Sequence, residues 1–192
     1  MTLQILSFES KQQFERWLKS NYSSAEGIWV RFLKKAHKES SGAKSISYAE
    51  ALDASLCWGW IDSLVKKYDA ASYIQKFTPR GKRSVWSKRN REHVARLIKQ
   101  KRMKAPGLAQ VMAAKKDGRW AQAYDSPKTM KLPKDFLRLL KTDKAALEFF
   151  KTLSKSNLFA IGYRLQTAVK AETKKRRMFA ILEMLRRQQK FH

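Results

Sequence analysis

The stretch Leu56-Cys57-Trp58-Gly59-Trp60-Ile61-Asp62-Ser63, with Phe77-Thr78-Pro79-Arg80 and Ser84-Val85-Trp86-Ser87-Lys88-Arg89-Asn90 close behind, constrains this chain more than any other. Half of its six tryptophans fall there, interleaved with Asp62, Arg80 and Asn90, side chains that need partners once buried. Rigid aromatics around a few fixed polar groups build either a small-ligand cleft or a compact aromatic core with a satisfied polar network. Trp58, Trp60, Asp62, Arg80, Trp86 and Asn90 are therefore the candidate ligand-binding residues. In a pocket the tryptophans would form walls, Arg80 would hold an anionic group and Asp62 or Asn90 would orient the ligand. In a structural hub the Arg80 fork would clamp Asp62 bidentately.

The surrounding pattern predicts an α+β fold. Ser10 with Gln13 reads as a capping box, and Phe14, Trp17 and Leu18 share one face of the helix it opens. A strand is expected over Gly27–Lys35, with Ile28, Val30 and Phe32 on one side. Ser47-Tyr48-Ala49-Glu50 is a second capping box, and Gly59 suits the left-handed position that ends its helix. Alternation over Trp60–Tyr68 and Tyr73–Thr78 predicts two more strands, closed by Pro79, which cannot donate to a ladder. The sheet expected is small, three-stranded and antiparallel.

From Ser84 the chain reads as mainly helical. A helix over residues 85–100 puts Trp86, Asn90, Val94, Leu97 and Ile98 on one arc and Lys88, Arg91 and Lys99 opposite. Pro106-Gly107 is expected to break the chain before a short helix that stops at Gly118. Asp125 to Pro133 holds two prolines and little that packs. The expected organisation is an α+β domain over 1–125, a linker over 126–133 and a C-terminal helical module over 134–192. Helices in that module are expected at about 134–141, 143–153, 158–168 and 171–187, with Thr142 and Ser156 as N-caps and Pro133 at a first helical position.

Charge points to a kind of partner. The formal net charge is +26, and residues 71–192 hold 32 Lys/Arg against eight Asp/Glu, whereas residues 1–70 hold ten against eight. Such asymmetry is the footprint of a polyanion partner, either nucleic acid or an anionic lipid surface. Lys88, Arg89, Arg91, Arg96 and Lys99 on the helix, with Lys174 and Arg177 in Lys174-Lys175-Arg176-Arg177, are the candidate polyanion contacts. A solvated helix face is the plain alternative.

Several chemistries find no support. There is no glycine-rich phosphate loop, no G-x-S-x-G elbow, and one cysteine with three scattered histidines gives no metal-ligand spacing. No cofactor or metal is called for. Cys57 beside Trp58 reads as a buried thiol rather than a nucleophile. No run of about 18 apolar residues occurs, and Met1 to Phe14 lacks a basic region followed by an apolar stretch. A cytoplasmic protein is the expectation.

Together these motifs resemble the bacterial YdeI/OmpD-associated family, also called bacteriocin-protection proteins. The residues that carry the resemblance are Tyr48-Ala49-Glu50-Ala51, Leu56-Cys57-Trp58-Gly59-Trp60-Ile61-Asp62, Phe77-Thr78-Pro79-Arg80, Trp86-Ser87-Lys88-Arg89-Asn90, Arg102-Met103 and Ala114-Lys115-Lys116-Asp117-Gly118-Arg119-Trp120, with Ala171 to Arg177 in the C-terminal module. The family usually has Gly where Lys101 stands and Arg where Lys174 stands. The resemblance implies a link to bacteriocin protection and envelope stress, and it brings no catalytic residues with it. The expected function is a non-enzymatic protein that contacts an anionic partner through its basic surface. The alternative is an enzyme or small-ligand sensor using the aromatic pocket. A third expectation is a protein partner docked on the stripe Met178, Ile181, Leu182 and Leu185.

Overall fold

The computed structural model describes residues 3–192; Met1 and Thr2, the first two positions of the expected 1–125 domain, lie outside the described residues. The chain divides into two compact units. The first runs up to Ser84 and takes in Glu92–Asp117; the second comprises Val85–Arg91 and Gly118–His192.

The first unit holds β1 (Ile5–Ser7), α1 (Lys11–Asn21), β2 (Ile28–Leu33), α2 (Lys35–Ser41), α3 (Tyr48–Cys57), β3 (Trp60–Lys67), β4 (Ser72–Pro79), most of α4 (Lys88–Lys99) and α5 (Ala105–Lys116). Its sheet corrects the expected three antiparallel strands: it has four, in the order β1-β2-β4-β3, and β1 runs parallel to β2. With only three residues, β1 carries no readable alternation, and its pairing of Leu6 with Val30 is a long-range event that local pattern does not encode. The β3–β4 register shifts between Asp62 and Val65, so a bulge breaks the alternation and leaves Leu64 and Val65 exposed.

The sheet buries Ile28, Val30 and Phe32 of β2 and Phe77 of β4 against Phe14 and Leu18 of α1 and Ala51 and Ala54 of α3. The small alanines let α3 lie close to the strands. Trp60 is fully buried in this layer, its Nε1 donating to the Tyr22 carbonyl at 3.0 Å, with Trp17 edge-on at 5.6 Å. Burying a large apolar side chain stabilises by roughly 1.5–3 kcal/mol, so this cluster dominates the unit.

Helix ends follow local chemistry, with instructive exceptions. Ser47 and Glu50 form the expected reciprocal box. At α1 the Ser10 hydroxyl accepts from the Gln13 N–H, but the Gln13 side chain reaches the Glu9 N–H instead of closing a box. Pro106-Gly107 opens α5 rather than breaking the chain, because a proline in the first turn forfeits only an N–H that has no intrahelical acceptor. Gly107 is required there: a Cβ on it would meet the Leu56 carbonyl oxygen at 2.7 Å and the Cys57 carbonyl as well. Gly59 ends α3 at φ +77°, as its position suggests.

The second unit is helical: α6 (Lys134–Lys141), α7 (Lys144–Lys151), α8 (Lys155–Gln166) and α9 (Ala171–Arg186). The N-caps differ from expectation by one or two residues. Asp143 rather than Thr142 caps α7, Ser154 rather than Ser156 caps α8, and Pro133 itself occupies the cap position of α6. Phe136, Leu140, Ile161, Leu165 and Leu185 form the core. Met178, Ile181 and Leu182 belong to the same core, which removes the stripe that would have offered a protein partner an apolar face.

Candidate functional site

Four of the six aromatic-cluster candidates belong to the first unit. Gly59 turns the chain between α3 and β3, so Trp58 and Trp60 flank it and line a shared recess of about 350 Å³ with Tyr22, Pro106 and Gln110. Trp58 lies against Tyr22 at 5.2 Å between ring centres. Its Nε1 is buried and, among the described residues, has no hydrogen-bond partner, a state that native interiors rarely tolerate. Asp62 does not line this recess. Its Oδ2 accepts from the Tyr48 hydroxyl and from Gln75 Nε2, both at 2.8 Å. Arg80 is only 5% exposed, its backbone N–H donating to the Gly59 carbonyl at 2.9 Å, and it too is absent from the recess wall.

Trp86 and Asn90 belong to the second unit. Trp86 is buried and meets Trp120 edge-on at 4.8 Å. The Asn90 N–H donates to Ser87 Oγ at 3.0 Å, so Ser87 caps the start of α4. A short parallel bridge between Ser87 and Tyr124 holds this segment in place.

Sequence reasoning missed one carboxylate cluster in the first unit. Asp53, on α3 and 9% exposed, faces Arg96 at 2.6 Å, His93 at 3.3 Å and Arg102 at 3.4 Å. Burial pushes the Asp53 carboxyl up, but the Arg96 hydrogen bond and the charges of Arg96, Arg102 and His93 outweigh it and hold it below its ordinary value. Arg96, a candidate polyanion contact, is therefore engaged within the fold.

The other basic candidates divide in the same way. Lys88 pairs with Asp125 at 2.6 Å, Lys174 with Asp135 at 2.7 Å, and Arg91 lies over the Trp120 ring at 5.3 Å. Arg89 and Lys99 are exposed. Since α9 starts at Ala171, Lys174 to Arg177 fall beyond its first turn, which carries Glu172 instead. Lys175 and Arg176 stand exposed on it.

Arg177 is placed differently from the rest. Its Nη1 donates to the Arg164 carbonyl at 2.6 Å and approaches Thr167 Oγ1 at 3.4 Å, which aims the guanidinium along α8. Arg164 in turn lies over the Phe191 ring at 4.3 Å. These two guanidiniums, with Tyr163, Thr167 and His192, line a recess of about 530 Å³ that contains no carboxylate side chain. Two arginines with hydroxyl neighbours in one recess are a chemistry for oxyanions. Arg164 and Thr167 carry no signal in the sequence, since isolated residues on a helix acquire meaning only from what α9 brings beside them.

Among the described residues no group of His, Cys, Asp and Glu could hold a metal ion, and no helix is long and apolar enough to cross a membrane. Cys57 is buried, and burial pushes its thiol up to about 11.

No curated protein and no solved structure matches the chain at a significant level. Residues 129–188 match the family described as "Bacteriocin-protection, YdeI or OmpD-Associated", in keeping with the motifs of the C-terminal module. Residues 6–110, more than half of the chain, match a second family, and by that match the protein belongs to the family described as a domain of unknown function, DUF8412.

Proposed function

We propose that this protein is a non-enzymatic, cytoplasmic anion-binding protein that engages a polyanionic partner through the basic surface of its second unit. The observation that carries the reading is the recess lined by both Arg164 and Arg177 and by no Asp or Glu. It sits in a unit with 21 Lys/Arg against six Asp/Glu, a net of +15. Phosphate or carboxylate groups of the partner would occupy the recess, while exposed Lys175 and Arg176 add counterion-releasing contacts outside it. A protective role against envelope-directed stress accords with the bacteriocin-protection match over 129–188.

The test is fluorescence anisotropy with labelled single- and double-stranded DNA and RNA, titrated with salt, beside heparin and anionic vesicles. Binding that weakens steeply with salt and drops on Arg177→Ala supports the reading. Tight binding indifferent to salt, or binding untouched by Arg177→Ala and Arg164→Ala together, refutes it.

A second reading, that of a small-ligand sensor or enzyme, has one observation in its favour. Trp58 lines the 350 Å³ recess and carries a buried Nε1 with no partner among the described residues. A flat or polar acceptor in that recess would quench Trp58 fluorescence on binding. A metabolite screen that leaves tryptophan emission unchanged removes this reading.

A further inference from the structure

A second cavity of the C-terminal unit has a different chemistry. About 800 Å³ in volume, it is lined by Pro127, Met130, Leu132, Phe150, Leu158 and Phe159, with Lys128, Lys155 and Ser156 as its polar members. Pockets for small ligands span roughly 300–1,000 Å³ and join apolar walls to a few placed polar groups, which describes this one.

The segment that forms one wall is pinned. Asp125 Oδ2 accepts from Gln166 Nε2 at 2.8 Å and from the Lys131 N–H at 3.4 Å, and Gln166 Nε2 also donates to the Lys131 carbonyl at 2.9 Å. Met130 is folded over the bare backbone of Gly162, where a Cβ would come within 2.6 Å of its Cγ. The absence of a side chain on α8 thus makes room for a flexible thioether at the cavity wall, a lining that adapts to an unbranched apolar ligand.

The charges decide which apolar ligand. No acid lines the cavity, and both lysines are exposed at its edge. Among the described residues Lys128 and Lys155 have no carboxylate partner, unlike Lys151, which pairs with Glu148, so their charge at the cavity edge is not neutralised from within the fold. Lys155 and Ser156 are moreover the first two residues of α8, whose leading N–H groups lack intrahelical acceptors.

From this arrangement we propose a site for a long-chain fatty carboxylate: the acyl chain lies among Met130, Leu132, Phe150, Leu158 and Phe159, and the carboxylate sits at Lys128 and Lys155. The site is separate from the recess of Arg164 and Arg177, although Phe159 lines both.

The experiment uses the full chain and a fatty carboxylate with a dansyl label at the far end of its chain, held below its micelle concentration. Emission should rise and saturate at one probe per protein. Palmitate should displace the probe, and methyl palmitate should compete at least tenfold more weakly. Lys128→Gln with Lys155→Gln should raise the dissociation constant about tenfold. Ser156→Trp, at an exposed position that lines the cavity, should abolish binding while circular dichroism and the melting temperature stay as in the parent. Non-saturating emission, equal competition by the methyl ester, or probe binding that survives Ser156→Trp each overturns the proposal, the last by showing adsorption through general charge. Displacement by an amphipathic helical peptide but not by palmitate also overturns it and assigns the groove to a protein segment.

Discussion

Arg96 Nη2 stands 2.6 Å from Asp53 Oδ1, tying α4 to α3 through a carboxylate that is almost wholly buried. A charged hydrogen bond of this kind contributes about 1.5–3 kcal/mol, and the 42% exposure of the Arg96 side chain moves the figure toward the lower end. Arg96→Ala should therefore lower stability by about 1–2 kcal/mol in urea titration. Asp53→Ala should cost more, since it leaves three cationic or polar partners without their acceptor. Because the carboxyl is held below its ordinary value of 3.8, its stabilising effect is complete above that value and is lost as pH falls through the depressed one. The difference in stability between the parent and Asp53→Asn should shrink as pH falls below about 4. A difference that grew below about pH 4 would contradict the assignment.

Lys101 occupies the left-handed region at φ +55°, a conformation that costs a side-chain-bearing residue about 1 kcal/mol. The turn it forms is a Schellman closure: the Arg102 N–H donates to the Leu97 carbonyl at 3.0 Å and the Lys101 N–H to the Ile98 carbonyl at 2.9 Å. The turn is thus made with a lysine at its left-handed position, at the cost of that strain. Lys101→Gly should raise stability by roughly 0.5 kcal/mol after the extra unfolded-state entropy of glycine is subtracted. An alanine at the same place should give no gain.

Gly107 marks the closest backbone approach between α5 and α3. Gly107→Ala sets a Cβ against the carbonyl oxygens of Leu56 and Cys57, which are backbone atoms and cannot rotate away. Overpacking of this kind costs about 1–3 kcal/mol, and the upper end is expected here. Thermal melting should show a large loss, and retention of the parental melting temperature would mean that the helices are farther apart.

Tyr48 and Gln75 share one oxygen of Asp62. Tyr48→Phe should cost about 1 kcal/mol, and in a double-mutant cycle with Asp62→Ala the two losses should be clearly non-additive. Additive losses would show that the hydroxyl finds its stabilisation elsewhere.

Cys57 is 2% exposed, with a thiol pushed up to about 11 by burial. A thiol-reactive reagent at pH 8 should leave the folded protein unlabelled and titrate one thiol after unfolding in guanidinium. Rapid labelling of the native state would reveal an accessible thiolate and reopen nucleophilic chemistry at this position.

Much of the fold is written locally. The boundaries of α6 agree with the pattern to the residue, and Ser47, Glu50 and Gly59 announce the start and end of α3 because capping and left-handed turns depend on neighbours within about five positions. Strands β2, β3 and β4 are legible from alternation, whereas β1 is not, since three residues paired in parallel with β2 have no turn and no period to betray them. The Pro106-Gly107 pair misleads for a related reason. The same dipeptide opens or breaks a helix according to the residues after it and the elements packed against it, and the carbonyls of Leu56 and Cys57 lie far away in sequence.

The candidate sites show the same division. Composition alone established the basic character of the chain and its wealth of aromatic side chains, because charge and hydrophobicity are sums over residues that need no geometry. Which cations are engaged is a different kind of fact. Arg96 is bound to Asp53, Lys174 to Asp135 and Lys88 to Asp125, while Arg177 is held by the carbonyl of Arg164 beside a recess lined by no Asp or Glu. Each pairing joins residues at least 13 positions apart, and a charge-assisted hydrogen bond forms only within about 3 Å. The sequence by itself determined how much positive charge and apolar surface this protein carries. Only the tertiary structure decided which charges are engaged within the fold and which are left exposed, since that choice depends on distances that packing alone creates.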